Sequence, residues 1–172
     1  MAKLRHYLPL QNLRELYFAL VQSHLNYGIL NWGFAAQTNL NCIQVALKKC
    51  VRIIEFKQRN EHSNPLFNEL KLFDYDNNFK LRLAQFLFKA KNGLVPQAIQ
   101  RLFQFSSNTA TRQDFSLSFP RTELKRSSFF FKGLKFWNEN IPLELQNVSL
   151  VTTFTNKYSA LLASDQGFNY SD

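Results

Sequence analysis

Apolar residues recur at helical spacing along most of the chain. Leu13, Leu16, Tyr17, Leu20, Val21 and Leu25 form one stripe. This predicts an amphipathic helix over residues 10–25, with Pro9 in the first turn, where its missing N–H costs nothing. The pattern breaks at two aromatic–glycine pairs set five apart, Tyr27-Gly28 and Trp32-Gly33. Each glycine permits a turn or a close approach that a side chain would forbid, and each aromatic brings a large apolar area with a polar tip. The segment reads as a helix that ends in a tight turn and a buried aromatic.

Leu40, Ile43, Leu47, Val51 and Ile54 fall at steps of three and four, with Asn39 as a candidate N-cap. Asn64 and Pro65 suit the start of a short helix. Asp74 suits the cap of a helix over residues 75–92, whose stripe is Phe79, Leu83, Phe86, Leu87 and Ala90 and whose stop is Gly93. Pro96 starts another short helix through about Phe103. After a polar loop, Phe115–Phe119 alternates apolar and polar residues, which predicts a short strand or an extended segment lying on helices. Ser127 or Ser128 caps a helix holding Phe129, Phe130, Phe131, Leu134 and Trp137, which breaks between Asn138 and Pro142. Ser149 caps a last helix with Phe154, Tyr158, Leu161 and Leu162. The expected fold is all-α with six to eight helices. It divides into residues 1–105 and a C-terminal extension over 106–172, packed as one unit.

Composition adds two points. Phenylalanine occurs 18 times, which predicts an aromatic-rich core. The net charge is +9 and the cations are unevenly placed: 20 of the 21 Lys and Arg, but only 8 of the 12 Asp and Glu, precede Phe136. A polyanionic partner is the natural inference. Gln44, Lys48 and Arg52 step by four along one helix face, with Lys49 beside them. That face is either a solvated exterior or a stripe that follows phosphates. Arg112, Arg121, Lys125 and Arg126 form a second candidate contact zone.

Other chemistries lack support. Cys42 and Cys50 are eight apart, about 12 Å of helical rise, too far for a disulfide. No further Cys or suitably spaced His completes a zinc set, so both read as free core thiols. Asp74 and Asp76 read as capping residues rather than a metal pair, and His62 as a polar loop residue. There is no glycine-rich phosphate loop, no nucleophile–base signature and no aromatic-x-Asp-Asp turn for two metal ions. No metal, cofactor or catalytic residue is expected. No apolar run reaches the roughly 20 residues of a membrane span. The opening MAKLRHYLPL is too interrupted for a signal peptide. The expected location is intracellular, in nucleus or cytoplasm, without a membrane partner.

Several motifs line up in order: LYFALVQSHLNYGILNWG, IQVALKKCVRII, HSNPLFNELKLFDYDN, FLFKAKNGLVPQAI, TATR and RSSFFFKGLKFWNENIP, followed by Ser149-x4-Phe154. This series resembles the region after the catalytic palm in reverse transcriptases of non-LTR retrotransposons, of the jockey and chicken-repeat type. It covers nearly the whole chain. The family's Pro near Ser23 and His24 is missing, and His-Thr-Pro-Leu appears one residue longer as His62-Ser63-Asn64-Pro65-Leu66. The resemblance implies a thumb that grips a primer–template duplex, with a C-terminal extension. It also implies RNA, DNA or RNA–DNA hybrid as partner, together with the palm region of a reverse transcriptase. The family's catalytic aspartates lie upstream of anything matching Met1, so the segment is expected to be inactive alone. A thumb needs a basic helix face against sugar–phosphate with little base readout. Lys48, Lys49 and Arg52 supply one. Tyr27, Gly28, Trp32, Gly33, Pro65, Trp137, Asn138 and Pro142 read as structural. The competing expectation is a helical protein-interaction module that binds no nucleic acid, in which apolar area on the first helices takes a protein partner.

Overall fold

A computed structural model describes residues 3–105, 115–117 and 119–166. The protein is all-α. Its helices are α1 (Leu10–Leu16), α2 (Ser23–Asn26), α3 (Ile29–Trp32), α4 (Gln37–Ile54), α5 (Asn64–Glu69), α6 (Tyr75–Lys91), α7 (Gln97–Gln100), α8 (Glu123–Ser127), α9 (Phe129–Asn140), α10 (Leu143–Gln146) and α11 (Val151–Gln166). A 3-10 turn over Leu4–His6 precedes them. The chain forms two compact units. Of the described residues, those up to Phe79 and from Leu162 on make one, and those between Lys80 and Leu161 make the other.

In the first unit Leu13, Tyr17, Leu25, Ile29, Leu40, Leu47, Val51, Ile54, Leu66 and Phe67 make one buried cluster. The expected first helix is interrupted. Between α1 and α2 the backbone takes a π turn over Tyr17–Gln22. Such a turn inserts one extra residue into the helical register. Residues within it step around the axis by less than in an α-helix, so Leu20 is turned outward and 54 % exposed while Tyr17 and Leu25 stay buried. Gly28 and Gly33 serve different ends. Gly28 has φ +63°, a left-handed turn that side chains disfavour. Gly33 has ordinary helical angles, but any Cβ there would overlap the Phe79 ring. Trp32 stacks on Tyr75, with centroids 5.9 Å apart, and its Nε1 donates to the Tyr27 carbonyl at 3.1 Å.

Helix starts follow the expectations in part. The Asp74 side chain accepts from the backbone N–H of Asn77 at 2.9 Å and so caps α6. Asn39 does not cap α4: that helix already begins at Gln37, after Ala36, which has no capping side chain. Asn64 lies inside α5, after Ser63, with Pro65 in the first turn.

Three helix ends share one geometry. After α4, Lys57 N–H donates to the Arg52 carbonyl and Phe56 N–H to that of Ile53. After α5, Leu72 N–H donates to Phe67 and Lys71 N–H to Asn68. After α6, Leu94 N–H donates to Lys89 and Gly93 N–H to Ala90. Each is a Schellman cap, which needs a left-handed residue. Glycine fills that place only at Gly93. Phe56 (φ 56°) and Lys71 (φ 53°) adopt it despite their side chains.

The second unit has an aromatic core. Phe88 stacks on Phe154 at 4.4 Å, Trp137 stacks on Phe154 at 5.8 Å, and Phe115 meets Trp137 edge-on at 5.9 Å. The expected strand near 115–119 reduces to a single antiparallel bridge between Phe105 and Phe115. Asn138 holds it in place: its Nδ2 donates to the Phe115 carbonyl at 3.0 Å. Ser128 caps α9 by accepting from Phe131 N–H. Thr122 caps the unforeseen α8 by accepting from Lys125 N–H. Pro142 stands at the start of α10.

Candidate nucleic-acid interface

Helix α4 orders its cations through its apolar stripe. With Leu40, Leu47, Val51 and Ile54 buried, Lys49 is left exposed and Lys48 and Arg52 half-buried on its flanks. The Schellman cap then turns the chain sharply after Glu55. Arg52 Nε fastens the returning loop by donating to the Glu61 carbonyl at 2.7 Å. The loop carries Lys57 and Arg59 back beside the last turns of α4. The 3-10 turn at the start of the chain adds Arg5. The result is a cavity of about 450 Å³ lined by Arg5, Lys49, Arg52, Ile53, Lys57 and Arg59. Five of its six lining residues are cationic, and Ile53 gives it an apolar floor.

The nearest compensating charges are weak. Lys57 Nζ lies 3.2 Å from Glu61 Oε1, and both side chains are substantially exposed. A pair of that kind contributes little in water. Burial, with Glu69 nearby, holds the Glu55 carboxyl above its usual range. Arg5 lies with Cζ 5.0 Å from the Phe56 ring centroid, a cation–π contact. Its Nε is shielded from solvent and has no acceptor among the described residues.

The three cations expected on one face of α4 are thus divided. Lys49 and Arg52 join the cationic cavity. Lys48 lines a different one of about 400 Å³, with Gln44, Asn64, Asp74 and Asp165 among its walls. Gln44 there donates to Asp76 at 3.1 Å. The second expected zone is dispersed as well. Lys125 lines a cavity with Leu102, Phe130 and Phe131. Arg126 pairs with Glu123 at 2.7 Å and lines another cavity, with Lys132 and Lys135. Arg121 is exposed, and Arg112 lies outside the described residues. Arg5, Lys57 and Arg59 were missed from sequence because no helical period links them to α4. The only available signal was their density around it.

Among the structural candidates, Trp137 is fully buried and Trp32 partly so, whereas the Tyr27 side chain is 86 % exposed and contributes through its carbonyl. Pro65 is exposed at the start of α5. Both thiols are free. Cys42 is exposed rather than in the core, and burial pushes the half-buried Cys50 thiol up. Among the described residues no group of three or more His, Cys, Asp and Glu is placed to hold a metal ion. No described helix is long and apolar enough to cross a membrane. Comparison with family models, with curated proteins and with solved structures gives no match.

Proposed function

We propose that this chain is the non-catalytic, post-palm part of a non-LTR retrotransposon reverse transcriptase, and that it binds the sugar–phosphate backbone of RNA, DNA or their hybrid. The observation that carries this reading is the convergence of Arg5, Lys49, Arg52, Lys57 and Arg59 on one cavity with few opposing carboxylates. Cations gathered in this way release condensed counterions when they meet phosphates, which favours polyanions over single charges. The ordered motif series from Leu16 to Phe154 supports the assignment to the segment after the palm.

The test is a titration of the purified protein into a labelled RNA–DNA hybrid at low and near-physiological salt. The expected result is binding that weakens steeply with salt. A Lys49→Ala, Lys57→Ala, Arg59→Ala triple variant lowers both the affinity and the salt slope. Arg52 is kept, because its bond to Glu61 makes its loss a folding question. Absence of binding at low salt, with an intact helical spectrum, removes this reading.

A second reading, a protein-interaction module, is favoured by an open apolar groove of about 500 Å³ lined by Leu20, Val21, Leu25, Trp32, Ile43 and Leu47 among others. The π turn that rotates Leu20 outward helps create it. A second copy of the chain is the occupant tested first. A concentration-independent monomer in sedimentation, with no apolar-dye binding, removes this alternative.

A further inference from the structure

Resting on the backbone-binding reading, we infer that the cationic cavity takes an unpaired nucleotide, with its base against Arg5 and its phosphates among Lys49, Arg52, Lys57 and Arg59. Three observations converge on it. First, the site is a concavity rather than a flat stripe. Its volume of about 450 Å³ falls in the range of about 300–1,000 Å³ typical of small-ligand sites. A duplex backbone needs only a surface, whereas a concavity of this size accommodates a base as well.

Second, the cavity joins an apolar floor to a cationic rim. Ile53 lies among the five cations, and Arg5 lines the cavity while packed against the Phe56 ring. A guanidinium held over an aromatic ring is a ready stacking platform, because arginine planes and aromatic rings both accept base faces.

Third, the platform is maintained against a conformational cost. Phe56 occupies the left-handed position of the α4 cap at φ 56°, where glycine fits without strain and a bulky side chain does not. Left-handed strain at a bulky residue points from an observed outlier to a local role. Here the ring it places is the one that backs Arg5.

The experiment compares a blunt RNA–DNA hybrid with the same hybrid carrying a short unpaired extension. Affinities are measured by fluorescence anisotropy on the full chain at one fixed salt concentration. The extended hybrid is expected to bind about tenfold more tightly. In Arg5→Ala that ratio falls to near one. In Phe56→Gly, which relaxes the cap and keeps the helical spectrum, it falls partway. Equal affinity for blunt and extended hybrids overturns the inference and leaves backbone binding intact. An advantage that survives both substitutions also overturns it, by placing the unpaired strand elsewhere. Failure to bind either hybrid removes both readings together.

Discussion

The Tyr75 hydroxyl donates to the backbone carbonyl of Gly33 at 3.1 Å, a buried bond between residues 42 positions apart. It ties the start of α6 to the end of α3. Around it Trp32 stacks on Tyr75, and Tyr75 stacks on Phe79 at 6.3 Å. The junction closes only because Gly33 has no side chain. A Cβ would enter the Phe79 ring although the backbone angles would accept any residue. Gly33→Ala is therefore expected to destabilise through overpacking, by roughly 1–3 kcal/mol. Thermal unfolding checks this. Pairing it with Phe79→Leu should recover part of the loss, because that substitution removes the ring the methyl group meets.

The two buried tyrosines of the first unit respond in opposite ways to loss of the hydroxyl. Tyr75 has an acceptor, so Tyr75→Phe is expected to cost about 1 kcal/mol at neutral pH. The Tyr17 hydroxyl is buried with no partner among the described residues, so Tyr17→Phe is expected to raise stability by relieving an unmet donor. Both phenols are pushed up. Burial and the neighbouring Asp76 move Tyr75 from 10 to about 12, and burial, with Cys50 nearby, moves Tyr17 further still. Above about pH 10 the unfolded chain gives up phenolic protons that the folded chain retains. Stability is thus full below pH 10 and declines through about pH 12. Denaturant melts from pH 8 to 12 should show this decline, and it should be shallower in each Phe variant.

Asn138 is the fastening point of the second unit. Its side chain donates to the Phe115 carbonyl and faces the Phe115 N–H at 3.5 Å, and the Phe115 ring packs edge-on against Trp137. Asn138→Ala leaves a carbonyl beside a fully buried ring without its donor, an expected loss of roughly 1–3 kcal/mol. Asn138→Asp is expected to be no better, because a carboxylate cannot donate. Trp137 fluorescence in a Trp32→Phe background reads the effect directly. A red shift in both variants reports the release of Phe115, and unchanged spectra contradict it.

Local rules carried the parts of this fold that depend on neighbours in sequence. The α4 stripe, the Asp74 cap, the Ser128 cap and the glycine end of α6 follow from spacing and capping chemistry. The π turn over Tyr17–Gln22 has no side-chain signature, so Leu20 reads as core and points out. The caps at Phe56 and Lys71 are invisible for a related reason: the residue expected there is glycine, and tertiary packing overrides that preference. The cationic site was only half legible. Lys49 and Arg52 share a helix, but Lys57 and Arg59 return through a loop whose direction the Phe56 cap sets, and Arg5 arrives from the chain's start.

That partial legibility yields the sharpest test of the proposed contact between α4 and nucleic acid. Lys48 and Lys49 are adjacent in sequence and equal in charge. A face that merely adds positive potential would use them alike. The structure gives them different surroundings: Lys48 shares a cavity with Asp74 and Asp165, whereas Lys49 stands among Arg5, Arg52, Lys57 and Arg59. A phosphate near Lys48 would meet carboxylates, and one near Lys49 would meet four further cations. Each cation that neutralises one phosphate contributes about 0.9 to the slope of log affinity against log salt on a duplex. Lys49→Ala is therefore expected to weaken hybrid binding and reduce that slope by about one. Lys48→Ala is expected to leave both nearly unchanged. Titrations of the two variants at three or more salt concentrations decide it. Equal losses from both would mean that the interface follows the whole helix face and that the cavity has no special part in it.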